Sequence, residues 1–223
     1  PAEEGFAGAK AMIDDGLFDK FPCDRVYAMH NGPGIGVGKF ASVPGIRTAA
    51  GAFFDIKVIG KGGHGAFPQF AIDPITIAAE IIGAIQTIIS RTTSPNDSAV
   101  LSITKVHAGD AYNVIPESAM LSGTVRTFAI DKMQEIERQM ISISEGISKA
   151  HGGTALVEFN TLFLPVLNEE EATDLATEVC RDMVGQDNVI TTGSAGTGSE
   201  DFSFMSNEVP GCYVIIGNGE DSN

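Results

Sequence analysis

The 223 residues read as an α/β fold interrupted by an inserted βαββαβ unit. Three observations predict this. A helix-then-strand unit opens the chain and leaves polar groups at the end of the strand, where open α/β sheets gather their ligands. Between residues 51 and 160, strand-like and helical stretches follow one another as β-α-β and again as β-α-β. Beyond residue 160 the α/β character returns. The predicted units are therefore 51–160, a usual size for a small domain, and a discontinuous unit made of 1–50 and 161–223.

The elements follow in order. Phe6 to Asp15 reads as a helix stopped by Gly16, and Phe21 to Asp24 as a turn. Arg25 to Met29 is a short strand with His30 at its C-terminal end, followed by the breaker Asn31-Gly32-Pro33-Gly34. Residues 34–50 are rich in Gly, Ala and Pro and predict irregular connection. Phe54, Ile56 and Val58 alternate with Asp55 and Lys57, a half-buried strand. Asp73 is placed to cap a helix with Pro74 at its first position, running to about Ser90. Val100 to Val106 and Met120 to Phe128 are the next strands. Asp131 with Gln134 resembles a capping box, and Met133, Ile136, Met140, Ile143 and Ile147 keep helical spacing up to Gly152-Gly153. Leu156 to Phe159 completes a split βαβ, ferredoxin-like set of four antiparallel strands with two helices on one face. Asn168 with Glu171 predicts a further cap, for a helix whose inner face carries Leu175, Val179 and Met183. Tyr213 to Ile216 is the last strand.

Charge and cysteine content limit what such a chain does. Lys and Arg number 14 against 29 Asp and Glu, a formal charge of −15, which disfavours nucleic acid and anionic membranes as partners. Cys23, Cys180 and Cys212 are few and odd in number, so a reducing, cytoplasmic setting is expected. No apolar run approaches the length of a membrane span, and no signal peptide is recognisable. The chain opens on Pro1 rather than Met, the mark expected of a fragment or a processed chain.

Several stretches could carry chemistry. Glu3 and Glu4 precede Gly5, which permits the turn that would bring both carboxylates to one site. One could bind a cation while the other stays free as a base; equally, they could serve the first turn of the helix. His30 at a strand end is either a metal ligand or a loop residue with a satisfied hydrogen bond. Gly60-Lys61-Gly62-Gly63-His64-Gly65 lacks phosphate-loop spacing but matches the Gly-x-x-Gly of KH domains, against which stand Pro68 and the acidic charge. It also reads as a strand exit without chemistry. Asn113 in a polar connection could hydrogen-bond a substrate, and Arg126, opposite Val125 on its strand, could hold a carboxylate. Ser199 with Glu200 and Asp201 reads as a helix cap followed by acids in the first turn.

The order of these stretches is more specific than any one of them. Pro-Ala-Glu-Glu-Gly at 1–5, Ala-Met-His at 28–30, the glycine-rich His64 loop, Asn-Val-Ile-Pro at 113–116, Gly-Thr-Val-Arg-Thr-Phe at 123–128 and Gly-Ser-Glu-Asp-Phe at 198–202 occur together. The chain resembles, over essentially its whole length, the di-metal amidohydrolases of the aminoacylase and carboxypeptidase superfamily, in the branch of hippurate and indole-acetyl-amino-acid hydrolases. The resemblance implies hydrolysis of N-acyl amino acids at two divalent metals per subunit, zinc, manganese, cobalt or nickel. It implies Glu3 as general base and Glu4 and His30 as ligands of different metals. His64 becomes the oxyanion-stabilising residue, reaching across a homodimer, with Asn113 and Arg126 orienting the substrate. The insertion becomes a lid and dimerisation domain, and the surrounding unit a partial catalytic domain. The role of Glu200 stays open.

Departures from the family pattern set a further expectation. The family's Cys-Gly-His-Asp-x-His motif and its final His ligand are absent from this sequence. Each metal keeps one protein ligand here, against the three or four of a tight site. The chain as given is therefore expected to bind metal poorly and be inactive, with a catalytic half short of strands and the insertion as the better core. The competing function class is a non-catalytic dimerisation or binding module.

Overall fold

The computed structural model describes residues 8–222 and divides into two compact units. One comprises the residues up to Ala50 and those from Phe163 onward; the other is Gly51–Leu162. The expected helix before Gly16 is α1 (Ala9–Asp14), followed by α2 (Leu17–Lys20). The next strand, β1 (Val26–Gly32), runs through Asn31 and Gly32, so His30 sits inside it rather than at its end. Pairing overrides the local breaker there. β1 lies parallel to β12 (Gly211–Gly217), and the register holds from Val26↔Gly211 to Gly32↔Gly217. Residues 34–50 are likewise not wholly irregular, since they contain β2 (Phe40–Ala41) and β3 (Gly45–Thr48). The sheet order is β1-β12-β2-β11, where β11 is Val189–Ile190, and β3 pairs antiparallel with β10 (Val166–Asn168).

Between these two halves the insertion forms a sheet from β4 (Ala50–Ile59), β6 (Ala99–Ala108), β8 (Ser118–Thr127) and β9 (Thr154–Phe163). Their order is β6-β8-β4-β9, which places the insertion's first and third strands side by side as a split βαβ requires. A separate two-stranded ribbon joins β5 (Gly63–His64) to β7 (Val114–Ile115). The helices are α3 (Pro74–Thr87), capped by the Asp73 carboxylate on the Ile75 N–H at 2.8 Å, and α4 (Ile130–Ala150). Ile77, Ile81, Ile85 and Ile88, with Phe54, Ile56, Val58, Leu121, Met133, Ile136 and Met140, are all fully buried, and α3 packs on α4 and β8. Each such side chain contributes about 1.5–3 kcal/mol of burial.

Three expectations about helices are corrected. α4 starts at Ile130 after Ala129, so Asp131 lies in its first turn and caps nothing beyond the Lys132 N–H. Its buried stripe continues through Ser144 and Ser148, while Ile143 and Ile147, one position off that face, are half-buried. Residues 74–92, α3 extended by a π turn, do form one helix long and apolar enough to cross a membrane, contrary to the reading of the sequence. Its buried positions 77, 78, 81, 85 and 88 recur at helical spacing and pack on α4 and the sheet, with Glu80 and Arg91 exposed.

The outer unit differs most in α5 (Glu170–Val184). Glu169, not Asn168, caps it, accepting from the Glu171 and Ala172 N–H groups. Ala172, Thr173, Ala176, Thr177 and Cys180 face inward, leaving Leu175, Val179 and Met183 at 45, 52 and 70% exposure. Together with Tyr27 and Met29 on β1, Leu175 and Val179 line an apolar groove of about 420 Å³. α6 (Phe202–Glu208) begins after Asp201, and Ser199 does not cap it.

Candidate active site

Glu3 and Glu4 lie outside the described residues. His30 is exposed on β1, opposite Ile215. Its Nδ1–H donates to the Asn31 carbonyl at 2.7 Å. A carbonyl oxygen only accepts, so the ring proton belongs on Nδ1 and the neutral imidazole turns the lone pair of Nε2 outward. That is the donor chemistry of a metal ligand whose other nitrogen is held by a backbone carbonyl. His30 therefore fits a divalent metal, although among the described residues no three of His, Cys, Asp and Glu converge on one point.

His64 shows the opposite arrangement. β5 pairs with β7 so that His64 stands opposite Val114, and the Gly65 N–H donates to the Asn113 carbonyl at 2.8 Å. The structure thus brings two of the selected residues, His64 and Asn113, into one ribbon. The loop entering it passes so close to residue 72 that a Cβ on Gly60 would stand 2.1 Å from the Ile72 carbonyl oxygen, which only glycine allows. The Ala66 N–H donates to His64 Nδ1 at 3.1 Å. A nitrogen that accepts carries no proton, so the neutral ring holds its proton on Nε2 and offers a donor. Both His64 and the Asn113 side chain are exposed. A short 3-10 turn, Pro68–Phe70, follows this loop, and α3 starts only at Pro74, so the helix of a KH clamp is missing.

Arg126 lies on β8, with the buried Val125 on the opposite face as expected. Its guanidinium sits 5.9 Å from the centroid of the Phe53 ring. Burial lowers its pKa from the ordinary guanidinium value, and among the described residues it forms no ion pair. A partly desolvated guanidinium without a carboxylate suits a bidentate carboxylate from a ligand.

The sequence reading missed what surrounds His30. Tyr213 on β12 places its ring 6.3 Å from the imidazole and 6.0 Å from Phe202, and its hydroxyl donates to Glu200 Oε2 at 2.7 Å. Asn168 is 2% exposed; it accepts from the Tyr213 N–H and donates to the Tyr213 and Val43 carbonyls. Arg47, its pKa lowered by burial, donates to the carbonyls of Gly193 and Ser194. An Asn followed by three glutamates offered several caps and no sign of a buried bridge.

A family model described as Peptidase family M20/M25/M40 matches residues 1–223. The chain is 38% identical to a hippurate hydrolase of Campylobacter jejuni over 221 residues, 99% of this chain and 58% of that protein. It is 34% identical to an N-acetyl-L-cysteine deacetylase of Bacillus subtilis, covering 99% of this chain and 52% of that one. An IAA-amino acid hydrolase of Arabidopsis thaliana is 32% identical, over 100% and 51%. The chain thus spans a little over half the length of these relatives. A solved dinuclear metal-binding M20-family peptidase of Bacillus subtilis superposes with a TM-score of 0.79 at 29% identity, covering 100% of this chain and 57% of its own.

Proposed function

The chain belongs to peptidase family M20/M25/M40, and on that premise we propose that it serves metal-dependent hydrolysis of the amide bond in N-acyl amino acids, hippurate-like compounds among them. The observation that carries this reading is the pair of opposite tautomers. His30 presents a lone pair, as a ligand must, and His64 presents a proton, as an oxyanion donor must.

Glu4 and His30 would hold the metals, two divalent ions per subunit, whether zinc, manganese, cobalt or nickel, and a tight site needs ligands beyond these two. A bound metal pair lowers the pKa of water and polarises the scissile carbonyl. Glu3 takes the proton of the attacking water and passes it to the leaving amine. His64 donates from Nε2 to the oxygen on which charge develops, Asn113 hydrogen-bonds the acyl amide, and Arg126 receives the free carboxylate. The insertion acts as a lid and joins two copies as a homodimer, so that His64 serves the site of the second copy. The charge of −15 favours small substrates over nucleic acid or membrane partners, and three free thiols favour the cytoplasm.

With one His ligand among the described residues, the chain alone holds metal weakly and turns nothing over. The test compares this chain with a version extended to the length of its relatives, assayed on hippurate and N-acetyl amino acids with added manganese or zinc. The extended protein is expected to hydrolyse them, and His64→Ala to lower its kcat by about 10²–10³. No metal-dependent hydrolysis by the extended protein overturns the function; hydrolysis by this chain alone overturns the weak-site reading.

A further inference from the structure

We infer that Glu200 and Asp201 are positioning residues. The loop that carries them clamps both elements on which the proposed ligands depend: the sheet around His30 and the helix that follows Glu3 and Glu4. This rests on the reading of His30 as a metal ligand.

The two acids are neighbours in sequence, yet each takes a different distant partner. Glu200 Oε2 accepts the phenolic proton of Tyr213 at 2.7 Å. Tyr213 is 8% exposed and held at several other points. Asn168 binds its backbone N–H at 2.7 Å and its carbonyl at 3.0 Å, and Phe202 stacks on one side of the ring at 27°. His30 lies across from it at 6.3 Å, within the range of ring–ring contact. The hydroxyl is a further handle on the ring, and Glu200 holds it. Asp201 Oδ2 accepts the Ala9 N–H at 2.8 Å, a bond spanning 192 positions. Ala9 is 2% exposed and begins α1, whose own cap, Gly8, has no side chain to offer. Asp201 therefore caps that helix from the far end of the chain, five positions after Glu4.

A purely local role is ruled out by where the carboxylates go. Asp201 precedes α6 but makes no side-chain cap bond to it. The loop is itself anchored, the Ala49 N–H donating to the Gly198 carbonyl and the Gly196 N–H to the Arg47 carbonyl, both at 2.9 Å. A fixed loop with two outward anchors can set the places of two elements at once.

The test is nuclear magnetic resonance of the His30 imidazole in the chain as it stands, with manganese as the probe. In the wild type, His30 is expected in one tautomer, with Nε2 unprotonated and its ring protons shifted by Tyr213. Manganese is expected to broaden its signals ahead of those of His107 and His151. Glu200→Ala should mix the tautomers, remove the ring shift and raise the manganese concentration for half-broadening about tenfold. Glu200→Gln, whose amide oxygen still accepts the phenol, should restore all three. Asp201→Ala should speed hydrogen exchange at the Ala9 amide about tenfold, and Asp201→Asn should return it. If Glu200→Ala does not fold, Tyr213→Phe removes the same bond and gives the same reading. Unchanged His30 signals and manganese response in Glu200→Ala overturn the inference while leaving the ligand reading intact. Manganese that shows no preference for His30 in the wild type overturns the ligand reading, and the inference with it.

Discussion

The insertion and the unit around it are of similar size and solve the problem of a core differently. Among the described residues, the Phe, Ile, Leu and Met side chains sealed most completely, from Phe54 to Met140, belong to the insertion. The outer unit buries its apolar groups in two patches, its aromatic rings keeping a few per cent of exposure, one around Phe40, Ala172, Cys180 and Val214, the other around Val166, Phe202 and Tyr213. It leaves Tyr27, Met29, Leu175, Val179 and Met183 in water. The outer unit adds polar side chains that bond partners across long separations, Asn168 and Asp201 to backbone and Glu200 to the Tyr213 hydroxyl. A unit built on a few directed bonds places its groups accurately, and each of those bonds matters.

Substitutions can break or sharpen this contrast. Ile81→Ala in the insertion should cost about 4 kcal/mol, because the surrounding isoleucines cannot close the space, and urea denaturation measures it. Asn168→Ala in the outer unit should cost about 2–3 kcal/mol despite removing little apolar volume, since it strips partners from the Tyr213 N–H and from two carbonyls. A cost under 0.5 kcal/mol would mean that the outer unit does not rest on its bridges. Glu169→Gln tests a weaker bond through pH. The Ala172 N–H, then the Glu171 N–H, hold the Glu169 carboxylate below its ordinary 4.5. A depressed folded pKa means stability fully present above the unfolded value and lost as pH falls through the folded one. The variant should therefore show a shallower loss of stability on acidification below pH 4.5. The smallest effect is expected from Leu175→Ser with Met183→Ser, within about 0.5 kcal/mol by the same denaturation, because both side chains are already exposed. A larger loss would show that the groove is covered in solution.

The same contrast explains what the sequence revealed. The insertion was legible almost element by element, because its strands alternate and its helices keep their spacing over many residues. The outer unit was not. β2 and β3 are two and four residues long, too short for any period, and form only because partners from the other end of the chain meet them. Leu175, Val179 and Met183 keep helical spacing, but they form a true apolar stripe that faces outward, and spacing alone does not say which side the sheet takes. Of the site, the histidines were visible through their motifs. Tyr213 was not, because its position depends on Glu200, thirteen residues away, and on Asn168, forty-five away.

The parallel pairing of β1 with β12 has a consequence for the order of events on the ribosome. Val26 meets Gly211, and no part of that ladder exists until Gly211 has been made, 185 residues later. At about 5–20 residues per second, β1 waits many seconds with its pairing edge exposed. The insertion has every strand it needs once Phe163 has emerged, and its helices and hairpin-like contacts are closer in sequence. During synthesis the insertion is therefore the early folder, which draws residues 50 and 163 together and shortens the loop that β1 and β12 must close. A mutation that slows the insertion would first be felt as aggregation of the unit outside it.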